Sequence, residues 1–283
     1  MIIVAILKHV AGKSADYGAA LDYLKYEHDE VLKKPLLDAN GNWVLRRDIL
    51  LEGINCEPEL FDVECEMLNA QYHKNQNYDE IKTHHYLISF DPADKDECGL
   101  TGEQAQAIGM EYVKANFPGH QALVCTHMDG HNGSGNIHVH IVINSLRKLD
   151  VPQQPFMERP IDCKAGYKHH LTKDCLKHLQ QSLMSICMRE SLNQVDLLSP
   201  SVNKITQQEY YAKQRGQINL DKLNAELIAE GFTPMKTKFQ TEKDKLRDSI
   251  TAAAKKAKSF EEFSRLLQTE SNILVKDHRG RFS

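Results

Sequence analysis

The residues best suited to chemistry lie between Thr126 and Asn144, in the run Thr-His-Met-Asp-Gly-His-Asn-Gly-Ser-Gly-Asn-Ile-His-Val-His-Ile-Val-Ile-Asn. The second half alternates like a β-strand: His138, His140 and Asn144 fall on one face, and Ile137, Val139, Ile141 and Ile143 on the other. Two imidazoles side by side on a rigid strand can hold a divalent cation. A third ligand comes from His127 or His131; His127 is preferred because it ends an expected strand, whereas His131 sits in a Gly-rich loop. Asp129 is placed to orient an imidazole through its second nitrogen. Three neutral imidazoles leave coordination positions open, which suits Lewis-acid activation of a phosphodiester better than a closed structural role. The imidazoles alone do not choose among Mg, Mn, Zn and Ni.

Such a centre also needs an attacking oxygen, from water or a side chain. Tyr17, Tyr23 and Tyr26 cluster near the N-terminus. By composition alone these tyrosines are better explained by packing, the hydroxyl remaining wet.

The elements that must position these groups alternate between strand and helix. Strands are expected at 2–10, 49–54, 84–90, 121–126 and 137–146, the last two forming an antiparallel hairpin. Helices are expected at 14–27, from Pro58 to Tyr72, from a Thr101 cap with Gln104 as its capping-box partner to Asn116, and at 175–191. Asp38-Ala-Asn-Gly41 reads as a turn. Beyond 195 the pattern becomes helical, at 207–214, 220–230, 243–258 and 260–270. The last residues read as a strand, a turn and the start of another strand, as though an element were cut in mid-course.

The fold expected is therefore α+β: a central, mainly antiparallel sheet flanked by helices, with the two-His strand near its middle. It divides into a β-rich domain over 1–195 and a mainly helical extension over 196–283, truncated at its C-terminus. Seven scattered cysteines with no Cys-x-x-Cys argue for reduced thiols in a cytoplasm, against a zinc ribbon or disulfide scaffold. No run approaches the roughly 18 apolar residues of a membrane span, and no membrane association is expected. A net charge of −4 does not advertise nucleic-acid binding, but residues 236–281 hold twelve Lys/Arg against seven Asp/Glu. That segment, and an expected helix carrying Lys164, Lys168, His169, His170 and Lys173, could line a groove for a polyanion.

Three stretches occur in order: Lys13-Ser14 followed by Leu21-Asp22-Tyr23-Leu24; His84-His85-Tyr86-Leu87-Ile88-Ser89-Phe90; and His127-x-Asp129 leading to Asn136-Ile137-His138-Val139-His140-Ile141-Val142-Ile143-Asn144. Together they resemble the three motifs of plasmid and conjugative-element relaxases, the mobilization class of HUH endonucleases with a single catalytic tyrosine. The resemblance implies that Tyr23 attacks the scissile phosphate of single-stranded origin-of-transfer DNA, with Tyr26 as the alternative nucleophile. It implies His127, His138 and His140 as metal ligands (His131 the alternative), Asp129 as their acidic partner, and DNA contacts from His85, Ser89 and Asn144. It implies a divalent metal, Mg or Mn before Zn or Ni, a bacterial cytoplasmic enzyme, and relaxosome accessory proteins and a secretion-system coupling protein as partners. The rival functions are a rolling-circle replication initiator, a metal-containing DNA-binding accessory protein and a hydrolase using water.

Overall fold

The structure is a computed structural model, and it describes residues 6–14, 16–29, 34–128, 136–193, 196–199, 206–278 and 281–282. The chain divides into two compact units, Met1–Pro200 and Ser201–Ser283.

The first unit is built on five antiparallel strands: β1 (Ile6–Gly12), β2 (Ile49–Ile54), β3 (Thr83–Ser89), β4 (His120–His127) and β5 (His138–Arg147), in the order β1-β3-β5-β4-β2. The two-His strand β5 is thus central, with every residue buried. Because β5 is covered on both sides, its apolar row and its histidine row meet different layers. Val139, Ile141 and Ile143, with Tyr86, Ile88 and Val124, pack beneath α4 (Gly102–Asn116) and α5 (Lys173–Arg189). Val142, Leu123 and Cys125 pack on the other face, against α1 (Gly18–Lys25) and α2 (Phe61–Tyr72).

Local chemistry explains where these helices start and how closely they dock. The Thr101 and Gln104 side chains each meet the other's backbone N–H, forming the expected capping box of α4. Gly109 lets that helix lie directly on the sheet: a Cβ there would stand 2.6 Å from Val139 Cγ1 and 2.9 Å from Val124 Cγ1. Asp91 caps and Pro92 opens the short helix α3 (Pro92–Asp96).

Two expectations need correction. The first helix ends at Lys25, so Tyr26 is extended and leaves the helical stripe. Residues 164–172 form no helix: Lys164 pairs with Asp150, Lys168 with Glu80 and His170 with Asp162, while His169 packs against Tyr86. Tyr86 belongs to the α4/α5 side of the sheet, so His169 lies on the face away from the histidine row.

The second unit comprises α6 (Gln207–Ala229), α7 (Glu242–Lys256), α8 (Phe260–Ser271) and the short paired strands β6 (Asp277–His278) and β7 (Arg281–Phe282). Two expected helices are here one, α6, running through Gly216. The ring of Phe239 fills the space a Cβ would take at that glycine. Glu209 on α6 pairs with Arg247 on α7, and Lys256 on α7 with Glu270 on α8. No described helix is long and apolar enough to cross a membrane.

Candidate active site

Strands β4 and β5 pair with His127 directly opposite His138 and Cys125 opposite His140. That register, with period-two alternation, sets His127, His138 and His140 on one face, all buried, and each offers a ligand atom within 4.8 Å of the others. Their tautomers follow from what each ring touches. His127 Nε2 lies 2.9 Å from the Leu24 carbonyl and His138 Nδ1 3.3 Å from the Asn136 carbonyl. A carbonyl only accepts, so these nitrogens carry the protons, and Nδ1 of His127 and Nε2 of His138 are the basic ones. His140 Nδ1 meets His85 Nε2 at 2.8 Å; with His140 donating, its Nε2 is the basic nitrogen. Burial holds the His85 pKa down at about 4, so that ring stays neutral and able to accept. Three neutral imidazoles, each oriented through its second nitrogen, are the donor set of a divalent-cation site.

Around this triad the structure sorts the expected residues. Tyr23, on α1, lies 5.7 Å from His140 and 6.0 Å from His85 between ring centroids. Tyr26 turns instead to Trp43, at 5.3 Å. Tyr17 is buried, accepts a hydrogen bond from Asn69 Nδ2 at 2.7 Å, and has its phenol pushed up to about 12 by burial. Of the three tyrosines, only Tyr23 has a recorded ring contact with the triad. Ser89, directly opposite His138 on β3, accepts from Asn136 Nδ2 at 2.7 Å. It thereby braces the residue whose carbonyl holds His138. Asn144, expected at the DNA, is wholly buried: it donates to Gln121 at 3.0 Å and accepts from the Leu146 N–H at 3.1 Å. It ties β5 to β4 and offers no surface to a ligand. Asp129 and His131 lie outside the described residues.

The triad stands at the boundary of a half-covered face. Helices α1 and α2 close over β4 and β5, while Ile6, Lys8 and Val10 of β1 are exposed and His85, Leu87 and Ser89 of β3 half-buried. The covered side thus supplies the tyrosine, and the described residues of β1 and β3 beside it are partly exposed.

One nearby group was not foreseen. His28 packs 5.2 Å from the Tyr23 ring, and its Nδ1 lies 2.9 Å from the Tyr26 carbonyl. Nδ1 therefore donates, leaving Nε2 as the basic nitrogen of a ring beside the phenol. The only signal in the sequence was a histidine five residues after Tyr23, which no helical or strand period links to it.

Residues 43–151 match the family model described as the MobA/VirD2-like relaxase nuclease domain. The likeness is confined to that segment, which is less than half of the chain. The matched segment contains His85, Ser89, all three triad histidines and Asn144, and begins after Tyr23 and Tyr26. Two Staphylococcus aureus proteins called Protein rlx are similar to the chain. One is 26% identical over 176 residues, 62% of this chain and 44% of the relative; the other is 26% identical over 152 residues, 54% and 40%. The chain thus spans less than half the length of either relative. Among solved structures, the copper-bound conjugative relaxase TrwC in complex with oriT DNA aligns over 93% of this chain and 98% of its own, at 13% identity and a TM-score of 0.39. A structure described as the molecular basis of vancomycin resistance transfer in Staphylococcus aureus aligns over 72% and 100%, at 14% identity and a TM-score of 0.35. Scores of that size carry no weight for the fold or chemistry of this chain.

Proposed function

We propose that this protein nicks and rejoins single-stranded origin-of-transfer DNA during conjugative transfer, with Tyr23 as the nucleophile. The observation that carries this is the packing of Tyr23 against His140, one of three converging imidazoles. A divalent cation on His127, His138 and His140 would supply positive charge to the scissile phosphate and offset the charge that builds in the transition state. The all-nitrogen donor set suits Mn, Zn or Ni better than Mg, which takes oxygen ligands.

The chain's own groups account for the rest. A phenol with a pKa near 10 is a poor nucleophile at neutral pH and needs a base. His28 Nε2 is our candidate to take the proton from Tyr23 Oη. The phenolate oxygen bonds to phosphorus as the bond to the 3′ oxygen breaks, and the leaving oxygen takes up a proton. The products are a 5′-phosphotyrosyl ester and a free 3′-hydroxyl. Storing the bond as an ester makes the step reversible: a 3′-hydroxyl attacking the same phosphorus rejoins the strand and returns the proton to Tyr23. His85 and Ser89 act by holding His140 and Asn136, beside the open strand face along which the DNA enters.

The test is a covalent adduct. The full chain is incubated with single-stranded DNA from its element's origin and Mn, then denatured and resolved by mass. An adduct lost in Tyr23→Phe and kept in Tyr26→Phe supports the assignment. The reverse pattern moves the nucleophile to Tyr26. Cleavage without any adduct means that water is the nucleophile and overturns the proposal.

A further inference from the structure

Between α1 and β2 the chain forms an arm that contributes His28 to the proposed chemistry and leaves the rest of its surface unassigned. Residues 26–29, 34–37 and 43–46 are joined by the bridges Tyr26–Leu45, His28–Pro35 and Leu37–Trp43. Glu27 N–H donates to the Val44 carbonyl, Leu36 N–H to that of Glu27, and Val44 N–H to that of Leu36. The arm turns at Asp38-Ala-Asn-Gly41, where Asp38 Oδ1 accepts from the N–H groups of Asn40 and Asn42 and Gly41 takes φ 83°.

Directly bridged residues point to the same side of a ladder, and alternate residues of one strand share a side. Tyr26, Leu37, Trp43 and Leu45 therefore share one face of the arm. Trp43 is 46% exposed, Leu45 54% and Leu37 60%, an apolar surface left in water although the first unit has two well-filled cores. The carboxylates Glu27 and Asp29 fall at the alternate positions, and Asp38 is turned inward to hold the bend. Among the bridged residues the aromatic face thus carries no acid.

This face is also coupled to the proposed nucleophile. Tyr26 packs edge-on to Trp43, and His28, two residues on, packs against Tyr23. The Arg46 N–H donates to the carbonyl of Lys25, the last residue of α1, and Arg46 Nε to the Tyr26 carbonyl. The arm is thereby fastened to the end of the helix that carries Tyr23.

We propose that the Trp43 face is a stacking platform for an unpaired base of the single strand held at Tyr23. This rests on the relaxase reading of the site. Flat exposed aromatic surface is the sequence-tolerant way to hold the bases of single-stranded nucleic acid. Its place at the end of α1 puts it beside the point where a strand joined to Tyr23 must continue.

Trp43 is the chain's one tryptophan, so intrinsic emission reports this face alone. The full chain in EDTA, which prevents cleavage, is titrated with a labelled single-stranded oligothymidylate while emission and label anisotropy are followed together. Emission should change in step with anisotropy, and a duplex of equal length should compete poorly. Trp43→Ala should weaken binding roughly ten- to a hundredfold, the usual effect of removing one stacked base, and Trp43→Phe should restore most of it. Unchanged emission while anisotropy reports binding overturns the proposal, as does a Trp43→Ala variant of wild-type affinity or the absence of any binding; the face then serves a protein partner. The emission readout uses wild-type chain, so it survives a variant that fails to fold. A Tyr23 adduct with silent emission removes only the platform. Matched emission and binding with no adduct removes only the nicking.

Discussion

His127 Nε2 donates to the carbonyl oxygen of Leu24 across 2.9 Å, joining a triad ligand to the residue next to Tyr23. The last carbonyls of a helix lack partners within it, and Leu24 lies in the final turn of α1. His127 thus satisfies a helix end and sets the height of Tyr23 over the triad in one bond. We expect His127→Ala to lower stability by about 1–3 kcal/mol even in chelator, the cost of leaving such a buried carbonyl unpaired. Urea unfolding of both proteins in EDTA checks this; equal midpoints would mean that the bond contributes nothing.

Loading the triad should stabilise the fold by mass action. At a free Mn or Zn concentration a hundred times Kd the gain is about 2.7 kcal/mol. Thermal melts with and without cation should show the increase in wild type and lose it in His138→Ala or His140→Ala. A His138→Ala variant that is stabilised as strongly as wild type would place the cation elsewhere.

His85 should matter through His140 rather than by ligating. His85→Ala frees the His140 ring to turn, and loss of such an orienting partner typically costs 10–100-fold in metal affinity. Isothermal titration of the apo protein measures it, and unchanged affinity would show that the His85–His140 contact of 2.8 Å orients nothing.

Acid should unfold this protein through the opposite face of the sheet. Burial lowers both His84 and His120 to about 3. In the unfolded chain each titrates near 6.5. Between those values the unfolded state binds the extra protons, so stability is full above about 6.5 and is lost as pH falls toward 3. Each group contributes about 1.4 kcal/mol per pH unit well inside that window. Urea midpoints in EDTA at pH 7, 6 and 5 should fall steadily, and His84→Gln should flatten the slope by close to one proton. An identical slope in that variant would locate the acid sensitivity elsewhere.

Gly109→Ala tests the docking of α4. The added methyl meets Val139 and Val124, whose branched side chains have little room to turn. A loss of about 1–3 kcal/mol is expected, read as a lowered melting temperature with or without cation. A melting temperature at or above that of wild type would mean that the sheet yields.

What could be read from the sequence was what local periodicity controls. The alternation from Ile137 to Asn144 announced a strand with a histidine face, and Thr101 with Gln104 marked the start of α4. The choice between Tyr23 and Tyr26 could not be read that way, because it depends on α1 stopping at Lys25. That stop is made by distant partners: Arg46 caps the Lys25 carbonyl, and Leu45 bridges Tyr26. The arm itself is held by bridges between residues far apart in sequence, and so left no periodic trace. Asn144 shows the reverse limit, since its strand face was correct but its burial depends on Gln121 and the Leu146 amide. The helices expected at 207–214 and 220–230 are one, and nothing local foretells that Phe239 will cover Gly216 between them.

All three triad histidines belong to one hairpin, with His127 and His138 facing each other at the mouth of its loop. Its ligands can therefore meet as soon as two neighbouring strands zip, before distant parts of the sheet assemble, and a cation bound then would fasten the loop shut early in folding. The tyrosine comes from a different part of the chain and arrives separately. On the proposed reading, metal capture and the formation of an ester with DNA thus rest on different stretches of chain, joined where His127 meets the Leu24 carbonyl of α1.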